Sequence, residues 1–155
     1  MVLICILENA ISDPIFLQRP NSITAQFYRE RCIRDGLVCF IEKHHINDDF
    51  VFWPDLESAH YANFTLQLLQ SLNISFVPKS CNPPNIPHCR PIENFWAHLK
   101  ARVYMGGWEA RNILQLQRKI KKSLKEMGVS ELHTNFKTIR TRLRLVNRDG
   151  PLSII

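Results

Sequence analysis

Nowhere in the 155 residues is there a run approaching the ~18 uninterrupted apolar residues of a membrane span, so no stretch of this sequence reads as a transmembrane helix. Met1 to Leu7 is apolar but has neither a basic segment before it nor an Ala-x-Ala-like site after it, which argues against a signal peptide. The cysteines, Cys5, Cys32, Cys39, Cys81 and Cys89, are odd in number and unpatterned. That excludes a disulfide framework and fits free thiols in a reducing compartment. Internal repeats and low-complexity tracts are also missing, which rules out solenoids and disordered linkers as the main architecture. What is there is ordinary for a globular protein: 45% apolar and 22% charged residues. The length suits one domain's worth of core.

The chain is organised around the stretch from Phe50 to Arg102. Phe50-Val51-Phe52-Trp53 is aromatic and β-branched, the composition of a strand buried on both faces. Pro54 cannot donate to a ladder and ends it. Asp55 then falls just past the carboxyl end of a strand, where open α/β sheets place their ligands. Tyr61 to Asn73 has the apolar spacing of a helix, and Ile74-Ser75-Phe76-Val77 reads as the next strand. Strand, helix and strand with short joints predict a βαβ unit with parallel strands and a right-handed crossover.

A second acid enters downstream. Lys79 to Arg90 holds Asn82-Pro83-Pro84-Asn85 and Pro87, which predicts a loop with stiff corners. Pro91 suits the first turn of a helix. Ile92, Phe95, Trp96, Leu99 and Val103 follow at helical spacing. Glu93 falls in that first turn, off the apolar stripe, where the helix dipole favours a negative charge. Thirty-seven residues separate Asp55 from Glu93, enough for a helix, a strand and a loop. Each acid alone reads first as an ordinary cap, and only the two together, with this proline punctuation, point further.

Trp53-Pro54-Asp55-Leu56-Glu57-Ser58-Ala59-His60-Tyr61-Ala62, with Pro83-Pro84-Asn85-Ile86-Pro87 and Pro91-Ile92-Glu93-Asn94-Phe95-Trp96, resembles the catalytic domain of Tc1/mariner-type transposases. The resemblance covers roughly residues 1–105. It implies a ribonuclease H-like fold with an acid triad, whose second member is Asp55, followed five positions later by His60, and whose third is Glu93. It further implies Mg²⁺ as cofactor, with Mn²⁺ as substitute, held by Asp55 and Glu93 as catalytic and metal-binding residues. In such sites two ions about 3.5–4 Å apart activate the attacking oxygen and stabilise the leaving one during phosphodiester cleavage. DNA is the implied partner, a homodimer the implied assembly and the nucleus the implied location, with no membrane and no small-molecule substrate. The 37-residue spacing fits a less common branch of the family.

The sequence departs from that pattern at its start. Val2 to Leu7 and Ile15 to Leu17 read as an antiparallel hairpin joined through Asn9 to Pro14. The family's first aspartate lies on the strand before such a hairpin. Asp13, in the turn, is wrongly placed to replace it. The expectation is a fragment truncated at its N-terminus, without the first catalytic aspartate or the helix-turn-helix domains that bind transposon ends, and catalytically dead alone. Asn21 or Ser22 would cap a helix taking in Ile23, Phe27, Cys32 and Ile33 and ending near Gly36. Leu37 to His44 would continue as a second piece, and Asn47-Asp48-Asp49 would turn into the central strand.

The last third is short of acids. Lys100 to Arg148 holds 13 Lys or Arg against 3 Asp or Glu, a balance of +10, which leaves −4 for the remainder of the chain. Ile113, Leu116, Ile120 and Leu124 give one helix a narrow apolar stripe. A second, about Ser130 to Val146, carries Phe136, Ile139, Leu143 and Val146 on one side. One-signed charge confined to one region reads as a phosphate-contacting surface, with the solvated face of two amphipathic helices as the alternative. The candidate contacts are Lys100, Arg102, Arg118, Lys119, Lys121, Lys122, Lys125, Arg140, Arg142 and Arg144. His60 joins them or orients Asp55, or simply starts a helix.

The expected fold class is thus α/β: a ribonuclease H-like mixed sheet of about four strands flanked by helices over 1–105, with a basic helical extension over 106–155. Cys81, His88 and Cys89 share one loop as possible zinc ligands, without the C-x-x-C pairs that mark a zinc site. Two functions stay open: a DNA-cutting and rejoining transposase by descent, and a domesticated, non-catalytic DNA-binding or protein-interaction module.

Overall fold

The computed structural model describes residues 1–17, 24–44, 49–82, 84 and 87–150. Asn21, Ser22 and Ile23, the turn residues Asn47 and Asp48, and Pro83, Asn85 and Ile86 of the proline loop lie outside the described residues. The chain forms two compact units, one of Met1–Cys5 with Ser12–Pro84 and one of Ile6–Ile11 with Asn85–Ile155.

In the first unit, β1 (Val2–Leu3) pairs antiparallel with β2 (Ile15–Phe16), Val2 opposite Phe16 and Leu3 opposite Ile15. The expected hairpin forms, with a shorter ladder than the apolar runs suggest. Ser12 Oγ accepts the Cys5 N–H at 2.9 Å, replacing a ladder bond, and Pro14 has no N–H to give.

One helical run follows. It begins as α1 (Ala25–Phe27), continues in π form over Tyr28–Val38 and closes as α2 (Cys39–His44). Thr24 caps it, its hydroxyl accepting the Phe27 N–H at 3.2 Å. Contrary to expectation, the run does not stop near Gly36. The buried residues show why it winds as π: Tyr28, Cys32, Ile33 and Leu37 all face the core. Nine residues are about 2.5 turns of an α-helix, which would place Tyr28 and Leu37 on opposite faces. The wider π turn, closed by i→i+5 bonds, keeps them on one. Gly36 gives β2 room, since a Cβ there would lie 2.8 Å from Ile15 Cδ1, the far end of that side chain.

The βαβ expectation holds in reduced form. Phe52 N–H donates to Ser75 O at 2.8 Å and Val77 N–H to Phe52 O at 2.9 Å, a single parallel bridge between Phe52 and Phe76. Pro54 and Pro78 flank the paired segments and stop the ladder there. The helix between them is a 3₁₀ turn, Ser58–Tyr61, followed by α3 (Asn63–Ser71). It ends in a Schellman cap: Asn73 takes φ 53°, its N–H donates to Gln70 O, and Ile74 N–H donates to Leu69 O. The described residues therefore form a two-stranded sheet and two isolated bridges, the parallel Phe52–Phe76 and the antiparallel Ile6–Ile11, where a four-stranded mixed sheet is expected. Most of them are helical. The core of this unit joins Tyr28, Cys32, Ile33 and Leu37 with Ala59, Leu69 and Ile74.

In the second unit, α4 (Pro91–Val103) packs against α5 (Ile113–Glu126) and α6 (Val129–Asp149). Phe95, Leu99 and Val103, spaced by four, are the buried face of α4, and Leu132 and Ile139 are buried on α6. Gly106 and Gly107, at φ 70° and 74°, supply the left-handed backbone between α4 and α5. Asn112 caps α5 by accepting the Gln115 N–H at 2.9 Å, and the Gln115 side chain reaches back to the Arg111 N–H. An Ile6–Ile11 bridge closes the small turn that belongs to this unit.

Candidate nucleic-acid interface and carboxylate sites

Asp55 sits where the sequence places it, beyond the paired segment and Pro54, and its side chain is exposed. Its carboxylate Oδ1 accepts the N–H of the next residue, Leu56, at 2.7 Å, which holds the carboxylate against its own backbone.

The loop behind it is held by polar side chains. The Trp53 indole N–H donates to Asn82 Oδ1 at 2.9 Å. Asn82 Nδ2 donates to Pro54 O at 2.9 Å and to Tyr61 Oη at 2.7 Å. Tyr61 Oη in turn donates to Val77 O at 3.2 Å, the residue after the parallel bridge. Asn82 is 2% exposed, so its amide is bonded in a dry setting where an unmade bond is expensive. Sequence reading takes Asn82 as a turn residue. Its role as the clamp of the Asp55 loop had no local signal.

His60 lies in the 3₁₀ turn and is buried, at 9% exposure. Its ring stacks on Tyr28, centroids 4.3 Å apart, and its Nδ1 bonds the Asp55 carbonyl oxygen at 2.9 Å. Of the roles open to it, this geometry serves the orientation of the Asp55 loop, and a buried ring is poorly placed to meet a phosphate. Burial lowers its pKa from the ordinary histidine value.

Glu93 occupies the first turn of α4, exposed, with Pro91 at the helix start. The helix start is locked from α6. Asn135, 8% exposed, donates through Nδ2 to Pro91 O at 2.7 Å and accepts from Asn94 Nδ2 at 3.1 Å. Asn135 is the second residue that sequence reading missed, for the same reason as Asn82. Asp55 belongs to the first unit and Glu93 to the second. Among the described residues no group of three or more His, Cys, Asp or Glu gathers as a metal site. Cys81 is exposed, Cys89 is fully buried, and His88 offers its carbonyl to Arg142 Nη1 at 2.8 Å. Burial pushes the Cys5 thiol up to about 12 and Cys32 up to about 11, so both are protonated and poor ligands.

The basic residues divide by what they touch. Arg102 pairs with Glu131, joining α4 to α6. Arg140 makes a bidentate pair with Glu8, at 2.5 and 3.2 Å. These two, with Arg142, are bonded within the fold. Lys119 sits 5.5 Å from the Trp108 ring centroid. Arg118, Lys121, Lys122 and Lys125 are all exposed. They recur at i, i+3, i+4 and i+7 and so form one stripe along α5, away from the buried Leu124. They line a shallow groove with Glu126, whose Oε1 is 3.8 Å from Lys122 Nζ. Lys100 and Arg144 are exposed on α4 and α6.

No protein-family model and no curated protein matches the chain. No helix among the described residues is long and apolar enough to cross a membrane.

Proposed function

We propose that the chain is a DNA-binding protein of the Tc1/mariner transposase kind, gripping duplex phosphates along α5. The observation that carries this reading is the stripe of Arg118, Lys121, Lys122 and Lys125, one-signed but for Glu126 and facing solvent along about two turns of one helix. Contacts of this type supply affinity with little sequence choice. The ribonuclease H-like fold belongs to the same proposal, supported by the parallel Phe52–Phe76 bridge with α3 between its partners. So do a nuclear location and a homodimer.

Asp55 and Glu93 are the residues that would hold Mg²⁺, or Mn²⁺ in its place. Both are exposed carboxylates, the hard oxygen donors that Mg²⁺ takes alongside water. A bound ion would supply positive charge to phosphodiester oxygens. The protein's own part is to hold Asp55 still through Asn82 and His60, and Glu93 through Pro91 and Asn135. A domesticated DNA-binding module that uses α5 without cleavage is the second reading, favoured by the α5 stripe itself, which can hold phosphates without either acid.

The test is binding of a labelled duplex across a salt series. Affinity should fall steeply with salt, by a log–log slope of about 0.9 per phosphate contact. Changing Arg118, Lys121, Lys122 and Lys125 together to Gln should reduce that slope by about 3 to 4. Salt-independent binding, or an unchanged slope in the variant, would refute the reading. Nicking of supercoiled plasmid with Mg²⁺, abolished by Asp55→Asn and by Glu93→Gln, would decide for the enzyme over the module.

A further inference from the structure

The first unit carries a polar groove of its own. Arg29, Glu30 and Arg34 of the π segment line one side, and Phe64, Gln67 and Ser71 of α3 line the other, enclosing about 430 Å³. Three features set it apart from ordinary solvated surface. Phe64 is 69% exposed, an unusual place for a large aromatic ring on a helix. The Arg29 guanidinium sits 5.4 Å from that ring's centroid, a cation–π pair that holds the ring in place. The charge of the groove is biased towards cation, because Arg29 and Arg34 line it against the single acid Glu30.

We propose that this groove binds a single-stranded nucleic acid segment, with a base stacked on Phe64 and the flanking phosphates on Arg29 and Arg34. An exposed ring beside arginines is the chemistry by which proteins hold unpaired bases without sequence choice. A duplex, whose bases are stacked on each other, cannot use it. Gln67 and Ser71, one and two turns along α3 from Phe64, offer an amide and a hydroxyl to base edges. Ser71 Oγ donates to Leu68 O at 2.8 Å and so keeps acceptor capacity for a ligand N–H. The site is independent of the α5 stripe and would stand if duplex binding by α5 failed.

The experiment titrates the full chain with fluorescein-labelled oligothymidylate and, in parallel, with a duplex of the same length. Phe64 is exposed, so its replacement leaves the core intact. Phe64→Ala should weaken oligothymidylate binding by about 5- to 150-fold, the range for loss of one stacked base, and leave duplex binding unchanged. Phe64→Trp should restore the affinity, and its indole emission should be quenched on titration. Arg34→Gln should lower the salt dependence of oligothymidylate binding. The variant with four Gln on α5 should keep the Phe64-dependent component. The proposal is overturned if Phe64→Ala has no effect or weakens both ligands equally. It is also overturned if the α5 variant loses both ligands, or if an acidic peptide competes for the groove as well as oligothymidylate does.

Discussion

The imidazole of His60 lies nearly flat on the phenol ring of Tyr28, with centroids 4.3 Å apart and planes 20° apart. The pairing joins the π segment to the loop that carries Asp55, since the same imidazole bonds the Asp55 carbonyl. Burial is the leading cause of its lowered pKa, partly offset by the bond to Asp55 and by the charges of Asp55 and Glu57.

Because the folded pKa lies below the unfolded value of 6.5, the unfolded chain binds the proton first as pH falls. The contribution of His60 is therefore intact above that value, declines as pH drops below it and is lost once pH passes the folded pKa. One proton limits the slope to about 1.4 kcal/mol per pH unit. Urea midpoints measured on either side of neutrality should show this fall. His60→Gln should remove it, and an unaltered pH dependence in that variant would place the titration elsewhere.

Asn82→Ala should unfasten the Asp55 loop. It strands the Trp53 indole N–H and the Pro54 carbonyl, and takes a donor from Tyr61 Oη. Leaving buried partners unmet costs about 1–3 kcal/mol each at most, so a total of roughly 2–4 kcal/mol is expected. Chemical denaturation followed by tryptophan emission measures it. A loss under about 0.5 kcal/mol, the level of ordinary surface changes, would mean the clamp is dispensable.

Gly36→Ala sets two effects against each other. Alanine favours a helix by about 1 kcal/mol over glycine, but its Cβ would meet Ile15 Cδ1 at 2.8 Å. That atom is the far end of a side chain and can be removed by Ile15→Val. The double-mutant cycle should show Gly36→Ala to be better tolerated in the Ile15→Val background, with a coupling of about 0.5–3 kcal/mol. Additive effects would mean that β2 and the π segment separate freely.

Asn135→Ala should loosen α6 from the start of α4 by breaking its bonds to Pro91 and Asn94. The expected loss is about 1–3 kcal/mol. Hydrogen exchange should accelerate at Asn94 and its neighbours while α5 keeps its protection. Uniform acceleration through both helices would show that the two asparagines do not act locally.

What could be read from the amino-acid order was whatever local chemistry decides. Pro54 and Pro91 mark the two acids, and the structure puts Asp55 after a paired segment and Glu93 in a helix's first turn. The spacing of Phe95, Leu99 and Val103 declares the buried face of α4. The π winding was hidden, because Tyr28, Cys32, Ile33 and Leu37 match no α-helical stripe and Gly36 reads as a stop. Asn82 and Asn135 were hidden more deeply. Their partners lie 21 to 44 positions away, and nothing near them in sequence distinguishes a buried amide from a turn residue. The parallel ladder stops where Pro54 and Pro78 each fall two residues past the bridged Phe52 and Phe76, a coincidence visible only once the register is known.

The bidentate pair between Glu8 and Arg140 spans 132 positions, and it has a consequence for biogenesis. The second unit joins its Ile6–Ile11 piece to helices that are translated after the whole of the first unit's Ser12–Pro84. During synthesis that early piece emerges with no native partner, while Ser12 onward can already begin to collect the first unit's core. Closing so long a loop is slow relative to local helix formation, although each doubling of length adds only about 0.6 kcal/mol of closure entropy. The hairpin tip, with Ile6 and Ile11, thus waits for its native neighbours until the helices of the second unit have been made.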